Sequence, residues 1–498
     1  MTARLAAIRP GGWKMIVRRV AYVIGAVVAA SGVAMIPPII VSLIYREWAT
    51  AGAIGLSCAI TIAIGLFGWR VVGRSAGELT SKEGFAIVGV AWFVISLFGT
   101  LPYLLSGSIG NFTDAYFETA SGFSTTGSSV IPDPGLLPHG ILVWRSLTQW
   151  IGGMGIIVLS IAILPLLGVG GVQLARAESP GPQPDRLTPR FRETAKRLWL
   201  LYVAITVVEI VLLAAGEMDL FQAINHGFTT MSTGGFSTEA ASIGAFGAYT
   251  QWVIIIFMFI AGTSFALHYR ALRRPVEYVR HPEFRLYSAI AVGSFIIITG
   301  GLIANGTIDE KTIRDGAFTA LTLITTTGYG TEDFTQWVSG LQIFAVGLFF
   351  VGGMAGSTAG GVKMFRIAVL TKAAHTDLRK LLHPKGVFVT RFGEKGVPRE
   401  IVQSIQSFFL FYMFIFMTGT FLLAFISSNT VELDLVTEAT AVASALGNIG
   451  PGLGDIGPAG NYLGIPWPGK WLLSFLMITG RLEIFPVVLL ATRELWRR

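Results

Sequence analysis

The sequence predicts an all-α polytopic membrane protein. Its expected plan is four fused helix–re-entrant loop–helix repeats in pseudo-fourfold arrangement, plus an N-terminal two-helix hairpin. Three observations predict it. The 498 residues are 52% hydrophobic and 13% charged, with mean hydropathy +0.64; a soluble surface of this size needs more charge. Many windows of about 20 residues carry little or no charge, the length of a bilayer-crossing helix. Finally, short Ser/Thr- and Gly-rich segments recur between apolar stretches: Ser124-Thr125-Thr126-Gly127-Ser128, Ser232-Thr233-Gly234-Gly235, Thr325-Thr326-Thr327-Gly328-Tyr329-Gly330 and Asn448-Ile449-Gly450-Pro451.

Apolar stretches fall at about 14–36, 50–73, 84–106, 140–168, 196–216, 247–270, 285–305, 335–372, 400–427 and 468–492. The first two form the hairpin, within 1–80. The others pair around the four Gly segments, as repeats over 81–175, 176–275, 276–395 (with a broken inner helix) and 396–498. Within each repeat, a helix too short to span precedes the Gly segment: Phe112–Phe123, Leu220–Met231, Thr312–Ile324 and Leu433–Ala445. Non-helical backbone at membrane depth is tolerated only where it lines a cavity or is buried in protein. The four segments are therefore expected around one axis. Counting nine residues back from Gly127, Gly234, Gly328 and Gly450 gives Glu118, Asn225, Thr319 and Ala441; counting back two gives Thr125, Ser232, Thr326 and Asn448.

Charge orients the chain. Basic residues cluster in alternate connections: Arg4, Arg9, Lys14, Arg18 and Arg19, then 70–82, 176–197, 270–285, 363–399, and Arg493, Arg497 and Arg498. The stretches 106–141 and 216–251 hold no Lys or Arg but do hold Asp114, Glu118, Asp133, Glu217, Asp219 and Glu239. By the positive-inside rule both termini are cytoplasmic and the Gly segments face out. The N-terminal apolar run reads as an anchor rather than a cleaved leader. The lone Cys58 supports neither a disulfide framework nor a thiolate metal cage. No Ser/His, Asp/Asp or zinc-ligand constellation falls in the spans, which argues against an enzyme, and nothing points to nucleic acid.

The Gly segments suit a monovalent cation. Rings of backbone carbonyls replace the water shell of potassium. Glycine permits the dihedrals that turn successive carbonyls inward, a role for Gly127, Gly234, Gly328 and Gly450. Thr125, Ser232, Thr326 and Asn448 can add side-chain oxygens, with Thr126, Thr233, Thr327 and Ile449 between. Helix C-termini aimed at the site favour a cation. Calcium would want carboxylates instead.

Across nearly the whole chain the sequence resembles the TrkH branch of the Trk/Ktr/HKT potassium transporters. The resemblance rests on Met231-Ser232-Thr233-Gly234-Gly235-Phe236-Ser237-Thr238, Gly447-Asn448-Ile449-Gly450-Pro451-Gly452 and Gly352-Gly353-Met354-Ala355-Gly356-Ser357-Thr358. It implies potassium uptake in the cell (inner) membrane by a homodimer, each protomer with its own pore. Gly127 favours potassium selectivity, since relatives with Ser there tend to pass sodium. The resemblance also implies a cytoplasmic TrkA-like ring binding NAD and ATP or ADP, with 372–399 as a docking surface. No cofactor of the chain's own is expected; nucleotide would act only through that partner.

Two gates are expected. The stretch 335–372 is too long for one span. Gly352, Gly353, Gly356, Gly360 and Gly361, with Ser357 and Thr358, break it into a loop beneath the filter, as the family implies. Arg481, in apolar helix, should face water or a partner; a salt bridge to Glu483 is poor because residues i and i+2 point apart. A cation below the filter repels potassium, a role the family gives an Arg here. Glu118 and Asp114 are expected to support the first short helix, Glu209 to hydrogen-bond a neighbouring helix, and Arg145 to anchor the outer end of span four. The alternatives are a proton- or sodium-coupled symporter, for which Glu209 and Glu483 are the deep acids, or the membrane subunit of a potassium-pumping ATPase.

Overall fold

The computed structural model describes residues 12–72, 80–162, 189–428, 430–431 and 433–496. Arg4, Arg9, Arg497 and Arg498, and the basic linker over 176–188, lie outside the described residues. Among the described residues the chain is helical apart from turns, loops and a two-residue β-hairpin pairing Arg391–Phe392 with Lys395–Gly396. Among the described residues six helices are long and apolar enough to cross a membrane, and up to seven if a bent pair counts as one span.

The N-terminal hairpin joins Gly12–Val33 and Ile36–Ile44 to Trp48–Val72. Its helices touch backbone to backbone. A Cβ on Gly65 would lie 2.4 Å from the Ala29 nitrogen, and one on Gly25 2.7 Å from the Trp69 nitrogen. Small residues permit this approach where no hydrophobic drive separates helix from lipid.

Four units follow, each with an outer helix, a short helix, a Gly segment and an inner helix. The outer helices are Ser81–Gly99 (running into Leu101–Leu105), Pro189–Ala214, Pro282–Asn305 and Arg399–Ser427. The short helices are Phe112–Phe123, Leu220–Met231, Glu310–Ile324 and Leu435–Gly447. Each starts on an Asn or Asp cap: Asn111, Asp219, Asp309 and Asp434 accept from the backbone N–H three residues on, a bond worth about 1 kcal/mol. Most of their residues are buried, so helices too short to cross a bilayer are held by packing inside the bundle.

The inner helices of repeats two and four differ from the single spans that their apolar stretches suggest. Among the described residues only that of repeat one, His139–Ala162, is one helix. Repeat two bends by 97° between Ala248–Ala261 and Phe265–Ala271. Repeat three breaks between Ser339–Phe349 and Met364–Leu382, and repeat four between Trp467–Arg481 and Phe485–Leu490. The causes are local. Gly262, Thr263 and Ser264 sit at the first break, glycines at the second, and left-handed Glu483 (φ 60°) and Ile484 (φ 65°) at the third.

Candidate functional site

The four Gly segments meet, and the way each short helix ends explains how. All four end in the same reversal. Thr125, Thr233, Thr326 and Asn448 are left-handed, with φ of 54°, 53°, 54° and 54°. The next N–H, of Thr126, Gly234, Thr327 and Ile449, reaches back to the carbonyl five residues earlier at 2.9, 2.8, 2.9 and 3.0 Å. This is a Schellman-type cap that satisfies helix-end carbonyls and swings the chain out of the helix. Asn tolerates that conformation; Thr is strained there by about 1–2 kcal/mol. Three Thr at equivalent places are retained only because the surroundings hold them.

After each reversal comes a glycine with φ between 76° and 108°: Gly127, Gly235, Gly328 and Gly450. A Cβ on Gly127 would lie 2.3 Å from the Gly234 carbonyl oxygen; on Gly235, 2.0 Å from that of Thr327; on Gly328, 1.9 Å from that of Ile449; on Gly450, 2.9 Å from that of Thr126. Repeat one thus meets two, two meets three, three meets four, and four meets one. The contacts close a ring.

This geometry shifts the register of repeat two by one residue from the count on Gly234. The equivalent of Thr125 is Thr233, not Ser232, and that of Gly127 is Gly235. The caps carried this signal, since Asn111, Asp219 and Asp434 each stand 16 residues before Gly127, Gly235 and Gly450. Nine residues before Gly235 is then His226 rather than Asn225. Ser232 caps its helix, donating to the Phe228 carbonyl at 2.8 Å.

Side chains at the collar base divide by role. Thr125 Oγ1 and Asn448 Oδ1 are buried without a hydrogen-bond partner. The Asn448 amide is fixed by its Nδ2, which donates to Thr126 Oγ1 (2.9 Å) and the Met477 carbonyl (2.8 Å). Unpaired buried oxygens are costly and are free to accept a cation. Not every carbonyl is free: that of Gly450 is tied by Ser128 Oγ (3.0 Å) and Tyr462 Oη (2.8 Å), and that of Gly234 by Gln149 Nε2 (2.6 Å). Gln149 belongs to no motif in the sequence; a lone amide in an apolar helix is the one signal it gives.

The irregular segment 350–363 lies against this base. Gly352, Gly356 and Gly361 have φ of 73°, 80° and 70°. Gly353 abuts the Gly262 carbonyl, and a Cβ on Gly360 would lie 2.2 Å from that of Gly447. The Gly360 N–H donates to Thr326 Oγ1 (2.6 Å), and the Gly361 N–H to the Gly447 carbonyl (2.9 Å). Ser357 Oγ donates to the Met354 carbonyl (2.6 Å), and Thr358 Oγ1 to that of Met231 (3.1 Å). Arg481, buried, donates from Nη1 to the Thr358 carbonyl (2.6 Å) and from Nη2 to that of Gly152 (3.4 Å). Lys363, left-handed and buried, donates to the Ala359 carbonyl (2.7 Å). Glu483, left-handed and just past the helix that ends at Arg481, pairs with Arg366 rather than Arg481.

Other charges brace the short helices. Glu118 accepts from Arg145 Nε at 2.6 Å, and Asp114 from Lys470 Nζ at 2.5 Å. Glu209 is buried facing Thr230, with no hydrogen bond of regular geometry. Arg145→Met should lower stability by about 3–5 kcal/mol, because it strands a buried carboxylate. Thermal unfolding of the purified protein checks this, and the pair Arg145→Met with Glu118→Gln should recover part of the loss.

A family model described as TrkH, cation transport protein, matches residues 53–497. The Escherichia coli protein named Trk system potassium uptake protein TrkH is 39% identical over 487 residues, 96% of this chain and 99% of that one. The Halomonas elongata protein of that name is 38% identical, covering 97% of this chain and 100% of its own. The crystal structure titled potassium transporter TrkH from Vibrio parahaemolyticus superposes with a TM-score of 0.88 at 34% identity, covering 96% of this chain and 99% of that one.

Proposed function

The chain belongs to the TrkH family of cation transport proteins, and from that premise we propose that it takes up potassium across the cell (inner) membrane through the collar. The observation that carries this reading is the closed ring in which each repeat's glycine meets the next repeat's carbonyl. Such a ring presents main-chain oxygens from four sides to one ion, in place of water. The unpartnered Thr125 Oγ1 and Asn448 Oδ1 favour an ion at the collar base. The short helices turn their C-terminal, negative dipole ends toward that point.

The segment 350–363 and Arg481 form the gate in this reading. The loop lies across the collar base, bonded to Thr326 and to the Gly447 and Met231 carbonyls, and Arg481 adds a fixed positive charge beside it. By the positive-inside rule the collar faces outward and both termini face the cytoplasm. The protein acts as a homodimer, and nucleotide control enters through a cytoplasmic partner docking near 372–399.

The test is flux in liposomes holding only the purified protein, under defined gradients of potassium, rubidium, sodium and lithium. Potassium and rubidium should pass about tenfold or more faster than lithium, a difference of ~1.4 kcal/mol. Equal potassium and lithium permeation would overturn the collar reading. Flux that stops whenever proton and sodium gradients are removed would favour coupled transport.

A further inference from the structure

Behind the collar, hydrogen bonds of side chains to side chains and to main chain link repeats one to three. Glu118 accepts from Ser129 Oγ (3.0 Å), the Val130 N–H (2.9 Å) and Arg145 Nε (2.6 Å). Arg145 Nη1 donates onward to the Ser237 carbonyl at 2.9 Å. Ser237 Oγ lies 3.1 Å from His226 Nε2. The other ring nitrogen, Nδ1, is 2.8 Å from the Gln222 carbonyl. A carbonyl only accepts, so Nδ1 carries the proton and Nε2 accepts the Ser237 hydroxyl. Ser237 Oγ in turn accepts from the Glu239 N–H at 3.0 Å, so both its roles are filled.

His226 also reaches the third repeat. Its carbonyl accepts from Tyr329 Oη at 3.3 Å, and Thr229, on the same helix, meets that hydroxyl at 2.5 Å. Tyr329 directly follows the collar glycine Gly328 and is buried. One residue thus holds the backbone after the repeat-two glycine through its ring, and its helix holds the repeat-three strand. In the register set by the caps, His226 occupies the place of Glu118 in repeat one. Each sits nine residues before its glycine and holds the serine two residues after it, Ser129 or Ser237. Thr319 and Ala441 occupy the place in the other repeats.

We infer that His226 is a specificity-determining positioning residue: it never meets the ion, but its ring braces Ser237 by a hydrogen bond and packs against the Tyr329 ring, 6.2 Å between centroids, and so fixes how far the oxygens of repeats two and three close in. A ring discriminates between alkali ions only while its oxygens resist following the smaller one inward. The inference rests on the collar being the selectivity filter.

The experiment compares potassium and sodium flux for the full-length protein in liposomes. His226→Ala should reduce the potassium-to-sodium ratio about fivefold or more, and Tyr329→Phe should reduce it in the same direction. The double variant should fall little beyond the larger single effect, as expected for residues in one network. His226→Gln, which keeps an acceptor, should restore part of the ratio. An unchanged ratio in folded His226→Ala overturns the inference; where that variant fails to fold, an unchanged ratio in Tyr329→Phe does so. Gly235→Ala, run in parallel, separates the two readings. If it leaves flux and ratio untouched, the filter reading itself is wrong. If it disturbs them while His226→Ala and Tyr329→Phe do not, only the brace is wrong.

Discussion

Gly328→Ala is expected to lower potassium flux by about 100-fold or more, equivalent to ~2.7 kcal/mol. Two costs meet at this position. Its φ of 82° is disfavoured for any residue with a Cβ, by about 1–2 kcal/mol. The new methyl would also stand 1.9 Å from the Ile449 carbonyl oxygen and 3.0 Å from Pro451 Cδ. Neither neighbour is a side chain that can rotate aside; one is backbone and the other a proline ring. The strain therefore moves the repeat-four strand, and with it an oxygen of the proposed filter. Gly347→Ala is the matched control. It lies in the Ser339–Phe349 helix, where an added Cβ would meet nothing within 4 Å, and flux should be unchanged. Rubidium tracer uptake into liposomes checks both, with the purified variants shown to be folded.

Arg481→Ala is expected to raise basal flux about tenfold or more. A unit charge opposing a cation at about 8 Å and an effective dielectric near 20 contributes roughly 2 kcal/mol of barrier. The same substitution cuts the bonds to the Thr358 and Gly152 carbonyls, so the loop loses its link through Arg481 to repeat one and one of its ties to repeat four, the Gly361–Gly447 bond remaining. Arg481→Lys separates the two effects. It keeps the charge but cannot reproduce the forked pair of bonds. Low basal flux in Arg481→Lys assigns the barrier to charge; raised flux assigns it to the tie. Unchanged or lower flux in Arg481→Ala removes the gate from this residue.

The parts of this architecture that are local in sequence were legible there. Phe112–Phe123 and Leu220–Met231 could be bounded because a polar cap, a run of small or apolar residues and a Ser/Thr-Gly stop follow one another directly. The third and fourth short helices begin at Glu310 and Leu435 rather than Thr312 and Leu433, because the caps are Asp309 and Asp434. The Gly234-Gly235 pair hid the register of repeat two, since composition does not say which of two adjacent glycines takes the left-handed turn. The ties that hold the site in place were beyond reach. Arg145 and Glu118 are 27 residues apart, Arg366 and Glu483 117, and Lys470 and Asp114 356. Such partners are chosen by how helices stack, not by any spacing along the chain.

All four quadrants of the collar are drawn from one polypeptide, and the loop beneath it comes from only one of them. In an assembly of four identical chains a single codon change is felt in every quadrant together. Here each quadrant can vary alone, and Asn448-Ile449-Gly450 carries an amide and an alkyl group where Thr125-Thr126-Gly127 and Thr326-Thr327-Gly328 carry hydroxyls. If the collar is the proposed filter, ion preference is adjustable in quarter steps, and an obstruction hinged on one side need move only that side to clear the path.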